Sequence, residues 1–177
     1  IKLGNKKLNR EKFSLVKSSC ATSYSALQFH TVAPSNLDLT NLSDSIVRIA
    51  CLAGDSIMQI KRQSAQIRMK PDNTPVTDAD YAANKIIMSS LASLTPNIPI
   101  VSEENLSSRN AVLGRYFWLV DPLDGTKEFI KGSDEFTVNI ALIMDQQPVL
   151  GAVHAPAIQY TYYTTEPQKA FRKYKLE

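Results

Sequence analysis

Apolar residues from Asn41 onward recur at spacings of three and four, the period of an amphipathic helix. With Asn41 as N-cap and Asp44 in the first turn, this pattern predicts a helix that runs to about Gln63. Prolines and turn-forming residues then predict a loop over Lys70–Pro75. A second helix is predicted over Asp78–Leu94, because two prolines follow it closely.

Short apolar runs after the second helix predict strands. Side chains of the third run alternate between two faces, and the link to the fourth is short enough for an antiparallel hairpin. The predicted strands are Ile98–Ser102, Tyr116–Asp121, Phe136–Met144, Val149–His154 and Tyr160–Thr164. Two long helices followed by an antiparallel meander predict an α+β domain.

Composition and length divide the chain into a leader and one domain. Residues 1–39 are basic, rich in serine and without periodicity, which is typical of an organelle transit peptide, a disordered extension or a mispredicted start. Residues 40–177 are predicted to form the globular part, with 44% hydrophobic residues in the whole chain. No apolar run approaches the roughly 20 residues that a membrane span needs. The two cysteines, Cys20 and Cys51, have no metal-site spacing, so a reducing compartment is expected.

The formal net charge of +3 is unevenly distributed. Six basic residues and one acidic residue lie in positions 1–37, whereas the remaining chain has fourteen basic and sixteen acidic residues. The globular part is therefore slightly acidic, and few aromatic residues lie between the basic ones. This distribution argues against a nucleic-acid polymer as a partner.

Acidic residues are grouped at the ends of three predicted elements. One group, Thr77–Asp80, begins the second helix; another, Glu103–Glu104, follows a strand; the third, Asp121–Thr126, also follows a strand. Each group alone has a structural interpretation, as a helix cap, a solvated loop or an Asp-Gly turn. The third group is more specific, since two acids, a proline, a glycine and a hydroxyl directly follow an apolar strand.

Carboxylates that converge at the rim of a sheet suit Mg²⁺, which prefers hard oxygen ligands and keeps waters or substrate phosphates in its shell. In the third group Gly125 lets the backbone approach a ligand closely, and the Thr126 hydroxyl and N–H can contact water or phosphate. Two metal ions roughly 4 Å apart acidify a bound water and stabilise the leaving oxygen of a phosphate monoester. Thr126 and Asp80 are the candidates for the base near that water.

This ordered set of motifs resembles the inositol monophosphatase superfamily of metal-dependent phosphatases. The motifs are Pro75–Asp80 (PVTDAD), Val101–Glu104 (VSEE) and Trp118–Thr126 (WLVDPLDGT). Two further segments, Lys127–Ile130 and Glu135–Leu142, look like the CysQ-type 3′(2′),5′-bisphosphate nucleotidases within it. The resemblance covers roughly residues 41–174.

The resemblance implies an inositol monophosphatase-like fold, with two long helices packed on an antiparallel sheet and two or three Mg²⁺ ions per complete site. The implied Mg²⁺ ligands are the carboxylates of Glu103, Asp121 and Asp124 and the carbonyl of Leu123. The implied substrate contacts are Glu103, Leu123, Asp124, Gly125 and Thr126. In the implied mechanism Thr126, assisted by Asp80, deprotonates the attacking water, with Glu104 as a helper group and Lys70 as a weaker candidate for electrostatics near the phosphate.

The implied substrate is a small bisphosphonucleotide such as 3′-phosphoadenosine 5′-phosphate, hydrolysed to AMP and phosphate. The alternatives are an inositol or sugar phosphate, or a non-catalytic fragment. Full-length members of the family continue for about as long again, so the C-terminal α/β half is expected to be absent here. The expected compartment is the cytoplasm, or a plastid or mitochondrion if the leader is a transit peptide. The sequence does not determine the oligomeric state.

Overall fold

A computed structural model of the chain describes residues 38–63, 65–70, 75–105, 113–166 and 169–174. The predicted leader lies almost entirely outside these residues, and its division from the domain stays a prediction. The helices are α1 (Leu39–Gln63), α2 (Asp78–Leu94) and α3 (Thr126–Ile130). The strands are β1 (Ile67–Met69), β2 (Pro75–Thr77), β3 (Ile100–Ser102), β4 (Tyr116–Asp124), β5 (Thr137–Met144), β6 (Gln147–Ala155), β7 (Tyr160–Glu166) and β8 (Lys169–Tyr174).

Helix α1 begins at Leu39, two residues before the predicted N-cap. The prediction of Asn41 as the cap was wrong, because Asp38 satisfies the first amides of the helix. Its Oδ1 accepts from the backbone N–H groups of Thr40 and Asn41, both at 3.1 Å. A carboxylate at this position also interacts favourably with the positive end of the helix dipole.

The main sheet has six strands in the order β3-β4-β5-β6-β7-β8. All neighbours are antiparallel except β3 and β4, which run parallel with Ile100 opposite Trp118 and Ser102 opposite Val120. The predicted antiparallel sheet is therefore mixed. Since β3 and β4 run in the same direction, the residues that follow both strands lie at one rim of the sheet.

Several elements differ from the sequence prediction. The β1–β2 hairpin and strand β8 were missed, because β1 and β8 are exposed along their whole length and so carry no alternating apolar pattern. Helix α3 was missed because it has only five residues. The turn between β5 and β6 is tighter than predicted, with Asp145 and Gln146 both at positive φ as in a type I′ hairpin.

The core lies between the sheet and the two long helices. Strand residues with alternating numbers, such as Trp118, Val120, Ile140 and Leu142, are buried against α1 and α2. The indole of Trp118 is fully buried, and its Nε1 donates to Thr95 Oγ1 at 2.8 Å, so its one polar group is satisfied. Within the described residues, no helix has the length and apolar content needed to cross a bilayer.

Helix α1 packs closely on β6 at Gly54. A Cβ atom added there would lie 2.5 Å from His154 Cδ2 and 2.9 Å from Pro156 Cβ. We expect Gly54→Ala to lower the free energy of unfolding by up to about 2 kcal/mol, because overpacking usually costs about 1–3 kcal/mol. The roughly 1 kcal/mol by which alanine favours a helix over glycine offsets part of this cost.

Urea denaturation measures this effect, with Gly151→Ala as the control. Gly151 lies in the same strand as His154, but its added Cβ would make only an ordinary contact, 3.7 Å from the Ile140 carbonyl. A Gly54→Ala midpoint equal to or above that of the unchanged chain would contradict the close packing of α1 on β6.

Candidate active site

The beginning of α2 is fixed by a reciprocal capping box. The hydroxyl of Thr77 accepts from the Ala79 N–H at 3.2 Å, and Asp80 Oδ2 accepts from the Thr77 N–H at 2.8 Å. The Thr77 hydroxyl also donates to Asp80 Oδ2 at 2.6 Å. The structural interpretation of this group is therefore right, and the same hydrogen bonds hold the Asp80 carboxylate in one orientation.

The second oxygen of Asp80 faces the third acidic group. Thr126 Oγ1 lies 3.2 Å from Asp80 Oδ1 and 3.2 Å from the Leu123 carbonyl oxygen. Because a hydroxyl carries one proton, Thr126 donates to only one of these acceptors at a time. The structure thus brings together the two residues that the sequence singled out as candidate bases, 46 positions apart.

Asp80 is fully buried. Burial raises its pKa above the ordinary 3.8, while the hydrogen bonds from Thr77 and Thr126 oppose this increase because they stabilise the ionised form. A carboxyl with a raised pKa is better suited to accept a proton than an ordinary surface carboxylate.

Glu103 and Asp121 lie side by side at the rim formed by the parallel strands. The Glu103 N–H donates to the Val120 carbonyl at 3.0 Å, which places Glu103 next to the residue after Val120. On the other side, Asp121 is opposite Asn139 of β5. The predicted convergence of the second and third acidic groups at one rim is consistent with this backbone arrangement.

The third acidic group begins within β4, rather than after a strand as predicted, and ends at the first residue of α3. Strand β4 continues to Asp124, with a register shift against β5 between Asp121 and Asp124. Such an irregularity redirects side chains locally. Asn139, which sequence reasoning missed, donates its Nδ2 hydrogen to Asp124 Oδ2 at 3.4 Å. The only signal for Asn139 was that a polar residue interrupts an apolar strand. That signal points to the site only once the register of β5 against β4 is known.

Gly125 links this strand to α3 and has a positive φ of 101°. A Cβ atom there would lie 2.7 Å from the Glu135 carbonyl oxygen, so other side chains are excluded by the backbone of the protein itself. From the sequence, this glycine was expected to allow close approach of a ligand to the backbone. The described contact is with Glu135, and a ligand contact stays a prediction.

Glu104 forms an ion pair with Lys70, the residue after β1. Lys70 Nζ lies 2.8 Å from Glu104 Oε1 and 4.0 Å from Glu103 Oε1. Burial raises the pKa of Glu104, and the neighbouring ammonium opposes that increase. Burial by itself lowers the pKa of Lys70, but the bond to Glu104 and the surrounding acids raise it overall.

The donor chemistry of the rim fits a hard divalent cation. Its predicted ligands are all oxygens, three carboxylates and the Leu123 carbonyl, which is the set that Mg²⁺ prefers. Across the described ranges, no three His, Cys, Asp or Glu side chains are already grouped as a metal site. The ligand set of Glu103, Asp121, Leu123 and Asp124 therefore stays a prediction.

Comparison with known proteins gives consistent matches. Residues 38–176 match the model of the inositol monophosphatase family. The chain is 42% identical over 137 residues to the 3′(2′),5′-bisphosphate nucleotidase CysQ of Aggregatibacter actinomycetemcomitans, covering 75% of this chain and 50% of that protein. It is 47% identical over 126 residues to the protein of the same name from Escherichia coli K12, covering 70% of this chain and 51% of that one.

Solved structures agree with these matches. The crystal structure of CysQ from Bacteroides thetaiotaomicron, a bacterial member of the inositol monophosphatase family, aligns with a TM-score of 0.65 and 35% identity. That alignment covers 80% of this chain and 52% of the CysQ chain. The Thermotoga maritima inositol monophosphatase aligns with a TM-score of 0.67 and 27% identity, covering 75% of this chain and 51% of that one. The chain spans about half the length of the curated relatives it matches.

Proposed function

Because the chain belongs to the inositol monophosphatase family, we propose that it is a Mg²⁺-dependent phosphomonoesterase that removes the 3′-phosphate from a 3′,5′-bisphosphonucleotide. The main support is the Asp80–Thr126 pair, in which a buried carboxylate held by a capping box lies 3.2 Å from a hydroxyl beside the acidic rim. The names of the relatives support the nucleotide substrate.

The proposed roles follow from the hydrogen bonds of Thr126. With its proton directed to Asp80, the Thr126 oxygen accepts a hydrogen bond from the attacking water and so orients it. The water oxygen forms a bond to phosphorus as the bond from phosphorus to the 3′-oxygen breaks. The proton of the water passes through Thr126 to Asp80, and the 3′-oxygen takes a proton from solvent, giving AMP and inorganic phosphate.

Glu103, Asp121 and Asp124 would hold Mg²⁺ through their carboxylates, and Leu123 through its carbonyl. When bound, Mg²⁺ neutralises phosphate charge and lowers the pKa of a coordinated water. A cation held by the Leu123 carbonyl would weaken that oxygen as an acceptor for Thr126, which would favour donation of the Thr126 proton to Asp80. Glu103 and the segment from Leu123 to Thr126 would also meet the substrate phosphate.

Phosphate release by this chain from 3′-phosphoadenosine 5′-phosphate and from inositol 1-phosphate, at equal Mg²⁺, tests the proposal. We expect kcat/KM for the nucleotide to be about tenfold higher or more, since each tenfold of selectivity needs only about 1.4 kcal/mol of differential binding. AMP, which carries only the 5′-phosphate, is the control for which phosphate is removed. An enzyme specific for the 3′-phosphate should release no phosphate from it. Release should stop when EDTA removes the metal.

Higher turnover of inositol 1-phosphate would contradict the nucleotide assignment and indicate an inositol or sugar phosphate as the substrate. No release from either compound, by a chain whose circular dichroism shows it folded, would contradict catalysis by this chain and favour a non-catalytic role.

A further inference from the structure

Glu104 lies beside the proposed metal ligands but is engaged by a lysine. Its side chain is only 4% exposed, and Lys70 Nζ lies 2.8 Å from its Oε1. The same ammonium is 4.0 Å from Oε1 of Glu103, so it is closer to Glu104 than to the proposed ligand. The two adjacent carboxylates are thus in different electrostatic environments.

The backbone of Glu104 is also held in place. Its N–H donates to Ser102 Oγ at 3.3 Å, and Ser102 Oγ donates in turn to Asn84 Oδ1 of α2 at 2.7 Å. An ionised carboxylate at such a buried position is stable only with a counter-charge. Lys70 supplies that charge from the end of β1, 34 positions earlier in the chain.

We propose that Lys70 is the built-in counter-ion of the acidic site. Its ammonium pairs with Glu104 and so confines the divalent cation to the side formed by Glu103, Asp121 and Asp124. This inference rests on the proposed function, since it concerns the same site. Lys70 acts through the two glutamates and is therefore a positioning residue. Its ammonium takes the place at Glu104 that a further metal ion would otherwise occupy.

The proposal predicts opposite effects for the two partners of the ion pair. Lys70→Met removes a positive charge and leaves Glu104 available to a cation, so the affinity for Mn²⁺ should rise roughly tenfold, the order expected for a unit charge beside a divalent ion. Glu104→Gln removes the partner of Lys70 and leaves the ammonium beside Glu103, so the affinity should fall by a similar factor. The double variant K70M/E104Q loses one charge of each sign and should bind close to the unchanged chain.

Mn²⁺ binding is measured by electron paramagnetic resonance of the free ion, which requires no turnover. Lys61→Met is the matched control, because the Lys61 side chain is 19% exposed, compared with 17% for Lys70, and is also ion-paired. Its partner Asp134 is 66% exposed and is not one of the proposed ligands. Lys61→Met should leave Mn²⁺ affinity unchanged.

A purely structural role of the ion pair would weaken Mn²⁺ binding in both single variants, and that result would overturn the proposal. Equal affinities in all variants would also overturn it, while leaving the proposed metal site intact. If the unchanged chain bound no Mn²⁺, both this inference and the metal dependence in the proposed function would fail.

Discussion

Asp80→Asn is expected to lower kcat for phosphate release by about 10²–10⁴, the usual contribution of a positioned general base, with little change in KM. Asparagine keeps the shape of the side chain, and its oxygen can still accept from Thr77. Its amide group would then face Thr126, which is 3.2 Å from Asp80 Oδ1 in the unchanged chain. The Thr126 oxygen would accept from this amide and could no longer pass a proton to residue 80.

The pH profile separates this loss from simple damage to the fold. Because burial raises the pKa of Asp80 above 3.8, the base becomes active only as the pH rises through that higher value. The acidic limb of kcat should therefore lie above pH 3.8, and it should disappear from the residual activity of Asp80→Asn.

Asp78→Asn is the control for Asp80→Asn, because Asp78 lies in the same first turn and accepts from the Gln66 N–H at 2.9 Å. Each variant removes one charge from the helix N-terminus, which costs about 0.3–1 kcal/mol of stability. Asp78→Asn should retain activity within a few-fold. Equal losses in the two variants would argue that the helix start, rather than the base, had been damaged.

Asp121→Asn should raise the Mg²⁺ concentration for half-maximal activity by about 100-fold or more, because changes to groups that merely support metal ligands already cost 10–100-fold. Asparagine keeps an oxygen but loses the negative charge that attracts a divalent cation. A titration of Mg²⁺ against phosphate release, at saturating 3′-phosphoadenosine 5′-phosphate, measures the shift.

The control for Asp121→Asn is Asp145→Asn, at the exposed turn between β5 and β6. Asp145 is paired with Arg115 at 3.0 Å and has a positive φ of 48°, a conformation that asparagine tolerates well. Its substitution should leave the Mg²⁺ dependence unchanged. If Asp121→Asn behaved like this control, Asp121 would not be a metal ligand.

The parts of the fold that bury one face could be predicted from the sequence. The three-and-four spacing in α1 and the apolar runs around Trp118 and Ile140 report burial directly, and these residues form the core. The residues of Thr77–Asp80 and Asp121–Thr126 were recognisable as groups because each lies within six positions. Local patterns therefore predicted both long helices and most of the sheet. They also supplied the candidate site residues, whose metal and substrate roles stay predictions.

Features that depend on contacts between distant segments could not be predicted in the same way. The parallel pairing of β3 with β4, the register shift near Asp121 and the ion pair between Lys70 and Glu104 all depend on how separate elements meet. The exposed strand β8 buries neither face, so its sequence carries no periodic signal. Nothing in the order of residues distinguishes Asn139, opposite Asp121, from an ordinary polar position.

The hydroxyl of Thr77 restricts which sequences could evolve at this position. One oxygen atom accepts from the Ala79 amide and donates to Asp80, so it serves both the start of α2 and the orientation of the proposed base. Serine and threonine are the small side chains that do both with a single atom. If Asp80 is retained as the base, serine is therefore the one replacement for Thr77 that keeps both functions. Other substitutions that preserve only the start of the helix would not keep the orientation of Asp80.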